Sequence, residues 1–174
     1  MKKVLIVIDM QNDFLTGTLG SEAAQAAIEP VRQRLAAQRT CGGRVIFTAD
    51  THNAHEFEKS TSQEGKKIPA HCIKGTPGWQ IAKELSPLDD EIVVEKPSFG
   101  ALNLAEVIGP LEEGDVIELC GVCTDICVIS NALHLRACYP ANRIAVIKAG
   151  CAGTSEENHQ AALAVMASCL INAE

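Results

Sequence analysis

Two cysteines stand four residues apart in Gly121-Val122-Cys123-Thr124-Asp125-Ile126-Cys127-Val128, just after an apolar run and at the start of a helical pattern. The pair could bind a metal, form a disulfide, pack in the interior or supply a nucleophile. Thr124 is suited to cap the helix. Cys127 would then sit in its first turn, where free N–H groups and the positive end of the dipole lower a thiol's pKa. The same N–H groups could receive an oxyanion if the thiolate attacked a carbonyl. Cys120, Cys123 and Cys127 also have C-x2-C-x3-C spacing, but Cys120 lies in a strand pattern whose alternation turns it toward the core. His134 is two helical turns from Cys127, or ~10 Å, too far to take its proton.

The residues that could serve Cys127 follow other apolar runs. Asp9 follows Val4–Ile8, Lys96 follows Ile92–Val94, and Asp50 with His52 follows Val45–Thr48. In open parallel sheets ligands bind beyond the carboxyl ends of the strands, so these residues would converge. Asp9 could take the thiol proton and return it to a leaving group, while Lys96 holds Asp9 ionised and stabilises the thiolate. The expected triad is Asp9, Lys96 and Cys127. Asp50 and His52, two residues apart, with His71 19 residues further on, offer two nitrogens and one oxygen. That donor set suits Zn, with Fe or Mn also compatible.

Five short β-branched runs, the three above with Val116–Leu119 and Ile144–Ile147, alternate with helical patterns. These patterns begin near Pro30 and recur at Trp79–Leu85, Leu102–Ile108, Asp125–Ala137 and Glu156–Ala167. The alternation predicts an α/β fold with a parallel sheet of five to six strands covered on both faces, Cys169–Ile171 being the sixth. The region from Thr51 to Pro77 holds three of the five histidines and no clear period. A long ordered loop of this kind is usually functional.

The 174 residues suit one domain, 1–174. A net charge of -7 without a basic run argues against nucleic acid or anionic membrane as partner, and for a small molecule. Met1–Asp9 reads as a first strand and not a signal peptide, because its apolar part is short and no cleavage site follows. Eight cysteines without a secretory signal are read as reduced thiols in a cytoplasmic protein, with Cys41, Cys72, Cys138, Cys151 and Cys169 as buried packing residues.

Together, Asp9-x-Gln11-x-Asp13-Phe14, Asp50-x-His52, His71-Cys72, Lys96 and Gly121-x-x-Thr124-Asp125-x-Cys127-Val128 resemble the isochorismatase-like cysteine hydrolases, in particular their nicotinamidase branch. The resemblance runs through nearly the whole chain. It implies a three-layer α/β/α sandwich, Cys127 as nucleophile, Asp9 as general base and acid, and Lys96 as third member. It also implies a cis peptide between Val122 and Cys123, with the N–H groups of Cys123 and Cys127 forming the oxyanion hole. Asp50, His52 and His71 match the family's metal site, where the ion coordinates a pyridine nitrogen, and Glu64 matches an additional acidic ligand. A homo-oligomer is implied as well.

The chain departs from the nicotinamidase pattern at Thr51, Ile68 and Ile126, where aromatic residues are usual. Ring-stacking candidates are Phe14, Trp79 and Phe99, and the substrate pocket is expected at Phe14, Ile68 and Ile126. The implied activity is hydrolysis of a small amide, nicotinamide first, through a thioester on Cys127. The alternatives are hydrolysis of another small amide, carbamoyl or ureido compound, and a thiol redox or metal-binding protein without turnover.

Overall fold

Six parallel strands form the centre of the protein in a computed structural model that describes residues 2–59 and 62–174. They are β1 (Lys3–Ile8), β2 (Arg44–Asp50), β3 (Ile92–Lys96), β4 (Val116–Val122), β5 (Arg143–Ala152) and β6 (Ile171–Ala173), in the order β3-β2-β1-β4-β5-β6. The helices are α1 (Asn12–Leu15), α2 (Glu22–Ala26), α3 (Ile28–Thr40), α4 (Ala54–Glu58), α5 (Gln63–Lys67), α6 (Leu104–Ile108), α7 (Ile129–Cys138) and α8 (Glu156–Ser168). β1 and β4 are buried almost throughout, since both lie mid-sheet with helices above and below; their uninterrupted apolar runs record this. β3, at one edge, exposes Ile92 and Val93.

From β1 the chain winds outward to β2 and β3, and from β4 it winds the other way to β5 and β6. Right-handed crossovers in opposite directions place α3 on one face and α6, α7 and α8 on the other, giving the three-layer α/β/α arrangement. The reversal between β1 and β4 opens a crevice at their carboxyl ends. Register brings Ile8 level with Thr48 and Gly121, and Asp50 level with Lys96. Gly121 has φ +122°, and a Cβ there would fall 2.0 Å from the Ile8 carbonyl oxygen, so only glycine lets β4 turn so close to β1.

Several expectations are corrected. Trp79–Leu85 is not a helix. Ile81 bridges Gln11 antiparallel, the Ala82 N–H donates to the Met10 carbonyl, and only Lys83–Leu85 makes a 3-10 turn. Backbone partners outside the segment therefore win over its helical spacing. The last strand is Ile171–Ala173, two residues later than expected, because α8 ends in a turn with Leu170 at φ +60°. The region 51–77 contains α4 and α5, and Pro30 sits inside the first turn of α3. All eight cysteines are free, and Cys72 and Cys151 are buried. Cys169 is only half-buried, and Cys41 and Cys138, at the C-terminal ends of α3 and α7, are exposed where those helices leave the sheet. Among the described residues no helix is long and apolar enough to cross a membrane.

Candidate active site

The strand ends bring Asp9, Lys96 and Cys127 together beneath the crevice, with 0%, 1% and 4% of their surfaces exposed. Lys96 Nζ is 2.7 Å from Asp9 Oδ2 and 3.6 Å from Cys127 Sγ, and it donates to the Ser98 carbonyl at 2.9 Å. Thr48 Oγ1 donates to Asp9 Oδ1 at 2.6 Å. Asp9 itself has φ +49°, a left-handed conformation that Asp tolerates better than most residues.

Cys127 lies in a single π turn, Thr124–Val128, that leads into α7, and the Val122–Cys123 bond is cis. Thr124 is not the cap expected from the sequence: Cys123 occupies that position, and the Thr124 hydroxyl is hydrogen-bonded to His159 Nδ1 on α8 at 2.8 Å. The thiol is shifted opposite to the expectation. Burial, then the Asp9 carboxylate, push Cys127 well above the ordinary thiol range, with Lys96 pulling the other way. Burial likewise raises Asp9, with Asp50 adding to the rise and Lys96 opposing it. Desolvation outweighs the helix terminus here because the thiol is almost wholly enclosed. Three groups thus share one ammonium, one negative charge and one mobile proton.

Asp50 joins this corner to a second one. Its Oδ1 is 3.3 Å from Lys96 Nζ, while its Oδ2 is 3.0 Å from His52 Nε2 and 3.3 Å from His71 Nε2. Glu64 Oε1 approaches the same nitrogens at 3.6 and 3.4 Å. One donor atom from each of Asp50, His52, Glu64 and His71 lies within 4.8 Å of every other. Both imidazoles are engaged through Nδ1, His52 with Glu56 at 3.0 Å and His71 with the Pro69 carbonyl at 2.7 Å, which leaves the two Nε2 atoms turned to one point. Burial opposes charging these rings, yet hydrogen bonds donated to Asp50 and Glu64 lift His52 to about 10 and His71 to about 9. The oxygens demand positive charge, which a divalent ion supplies; donor types and convergence both fit one.

The sequence profile described as "Isochorismatase domain" matches residues 3–173. The chain belongs to the isochorismatase family. It is 30% identical over 179 residues to an uncharacterized isochorismatase family protein, PncA, of Bacillus subtilis, covering 94% of this chain and 93% of that one. It is 27% identical over 193 residues to the nicotinamidase of Schizosaccharomyces pombe, covering 91% and 86%. The crystal structure of the nicotinamidase/pyrazinamidase PncA from Bacillus subtilis superposes with a TM-score of 0.83 at 28% identity, over 100% of both chains.

In this isochorismatase-family chain the two corners share a cavity of about 380 Å3, within the ~300–1,000 Å3 typical of small-molecule sites. Phe14, Ile68 and Ile126 all line it; Phe99 does too. Trp79 is absent from its walls and instead donates its indole N–H to Thr51 Oγ1 at 2.8 Å. Phe57, which the sequence reading passed over, packs edge-on against both His52 and His71. Cys120 hydrogen-bonds weakly toward the Ile6 carbonyl at 3.9 Å, and the metal-competent cluster among the described residues contains no cysteine, so the C-x2-C-x3-C spacing makes no site.

Sequence reasoning also missed the residues that hold the site. Gln11 clamps Asp50 with both ends of its amide, accepting from the Asp50 N–H and donating to its carbonyl, each at 2.8 Å. Asp13 accepts from the Cys72 N–H at 2.7 Å and so pins His71; a Cβ on Gly78 would collide with that carboxylate at 2.3 Å. Asn131, fully buried on α7, accepts from the Ala101 N–H at 2.9 Å and donates to the carbonyls of Phe99 at 3.2 Å and Cys127 at 2.8 Å. The D-x-Q-x-D spacing held a signal for Gln11 and Asp13. Nothing local marked Asn131, two of whose three partners, Ala101 and Phe99, lie about 30 residues upstream.

Proposed function

We propose that the protein is a metal-containing cysteine amidohydrolase, a nicotinamidase that converts nicotinamide and water to nicotinate and ammonia. The observation that carries the reading is one cavity walled by Cys127 and by Asp50, Glu64 and His71, with the Asp9–Lys96 pair directly behind the thiol. Asp9 takes the Cys127 proton as sulfur attacks the carboxamide carbon, and Lys96 balances the charge that the transfer leaves on sulfur. The N–H groups of Cys123 and Cys127 receive the oxyanion. Asp9 returns the proton to the departing nitrogen, releasing ammonia and leaving a thioester. It then accepts a proton from the water that hydrolyses the thioester, and the acid is freed with the thiol restored.

Asp50, His52, Glu64 and His71 would hold one divalent ion, Zn first and Fe or Mn as alternatives; it would supply a Lewis-acid anchor for the pyridine nitrogen. Phe14, Ile68 and Ile126 enclose the ring. A single domain over 1–174, read from the chain length, and a cytoplasmic location, read from the reduced cysteines, belong to the same reading, as does a homo-oligomeric assembly, which rests on the family resemblance. The experiment is ammonia release from nicotinamide by the metal-replete protein, paired with Cys127→Ser. Release abolished by the substitution supports the reading; no release from the unsubstituted protein sinks it.

A further inference from the structure

The turn that carries Cys127 is not an α turn, and the difference falls on one N–H group. The Cys123 carbonyl accepts from the N–H of Ile126 at 3.1 Å and from that of Val128 at 3.0 Å, the residues on either side of Cys127. In an α turn the same carbonyl would take the Cys127 N–H, four residues on. The wider π turn, Thr124–Val128, keeps that N–H from it, and Cys123, Ile126 and Cys127 all line the cavity. An oxyanion on the cavity side can then be met by a donor that the Cys123 carbonyl has not taken.

Single π turns are rare and interrupt the α ladder, so this one has to be held from outside. Two contacts from the amino end of α8 and the loop before it do so. Thr124 Oγ1 is hydrogen-bonded to His159 Nδ1 at 2.8 Å, both residues being buried. Asp125 accepts from the Thr154 N–H at 2.8 Å and from the Thr154 hydroxyl. Gly153 passes close beneath them, where a Cβ would meet Asp125 Oδ1 and His159 at 2.9 Å. The amino end of α8 is itself fixed, Ser155 Oγ accepting from the Asn158 N–H at 3.1 Å and Asn158 Nδ2 donating to Thr154 Oγ1 at 2.8 Å.

His159 shares its helix face with Ala162, Leu163 and Met166, all buried. An aliphatic side chain would extend that stripe without the cost of burying an imidazole. The imidazole instead finds its partner in Thr124, whose hydroxyl is the only one between 124 and 128.

We infer that His159 is a positioning residue for amide hydrolysis: by holding the Thr124 hydroxyl it keeps the Cys127 turn in the π form that presents the Cys127 N–H to the oxyanion. The inference rests on the proposed amidase reading and names a residue on which its oxyanion hole depends. His159 acts through Thr124 and touches no reacting atom.

The test follows two reactions of the metal-loaded protein. Ammonia release from nicotinamide needs the oxyanion hole. Labelling of Cys127 by iodoacetamide, in which sulfur displaces iodide from a saturated carbon, does not. His159→Leu is expected to lower kcat by roughly 10–100-fold with KM and the labelling rate each within about threefold of the unsubstituted protein. His159→Asn, whose amide can place a polar atom near the position of Nδ1, is expected to bring kcat back to within about fivefold. Thr124→Val removes the same bond from the other side and serves should His159→Leu fail to fold; combining the two should cost little more than either alone.

An unchanged kcat in His159→Leu and Thr124→Val overturns the inference and leaves the amidase reading intact. A parallel fall of kcat and labelling, or an Asn variant as slow as the Leu variant, also overturns it, since either would mean general packing and not the hydrogen bond. No ammonia release from the unsubstituted protein overturns the amidase reading, and the positioning role falls with it.

Discussion

Asp9, Lys96 and Cys127 are positioned by main chain, whereas three of the four donors in the neighbouring cluster are positioned largely by side chains. In the first corner, β1 and β3 end at adjacent levels and the π turn delivers the thiol, all backed by the buried interior of the sheet. In the second, only Asp50 belongs to a strand. His52, Glu64 and His71 come from the long connection between β2 and β3, where His52 depends on Glu56, and His71 on Asp13 and the Pro69 carbonyl, for orientation. The lesson is one of local stability. The catalytic corner should open only with the whole fold, while the donor corner should loosen separately, and an ion bound there should order it.

The largest effect should come from Cys127→Ala. It should reduce amide hydrolysis by roughly 10^4 to 10^6-fold, the scale seen when a nucleophile is removed, yet retain one metal per chain by elemental analysis. Loss of metal from that variant would mean that the corners are not separable. Lys96→Met strips the shared counter-charge from Asp9 and Asp50, both buried, and should destabilise the fold by about 3–5 kcal/mol in denaturant titration. An unchanged midpoint would show the two carboxylates already neutral.

Glu56→Gln acts one bond further out, on His52 Nδ1, and should weaken metal binding by roughly 10–100-fold while iodoacetamide still labels Cys127 at its normal rate. Slower labelling would show that the corners are coupled. Asn131→Ala removes three hydrogen bonds tying the Cys127 turn to the Phe99 loop and should cost about 1–3 kcal/mol, with metal affinity unaffected.

The smallest effect belongs to a charge pair outside both corners. Arg39 donates to Glu91 at 2.8 and 2.7 Å, partly exposed, and Glu91→Gln should cost less than about 1 kcal/mol at neutral pH. Burial opposes ionisation of Glu91, but the Arg39 guanidinium holds its carboxyl below the ordinary value of 4.5. Its stabilisation is therefore present above pH 4.5 and lost as pH falls through the lowered value, so the difference between protein and variant should shrink on acidification. A difference that grows instead would reverse that sign.

Legibility in the sequence followed how local each feature is. Val4–Ile8 and Val116–Leu119 could be read as strands because burial on both faces demands continuous apolar runs. Trp79, Ala82 and Leu85 repeat at helical spacing, yet the segment runs as an irregular strap because Met10 and Gln11 supply its backbone partners. Thr124 carries a hydroxyl fit for capping, but His159, 35 residues later, takes it. Leu19, Gly20, Ser21 and Ala24 line the cavity together with Ala152 and Gly153, more than 120 residues away, and the two segments gave no common signal.

The sequence by itself determined the reactive groups, the alternation of strands and helices, and, through the ends of the apolar runs, which residues would face the crevice. Side-chain chemistry and hydrophobic period are local properties of the chain. Only the tertiary structure decided that the Cys127 thiol is held well above its ordinary range, that His52, Glu64 and His71 converge on Asp50, and how much space remains for a substrate. Proton affinity, coordination and cavity shape depend on distances and burial among residues remote in the chain, and those exist only once the sheet is assembled.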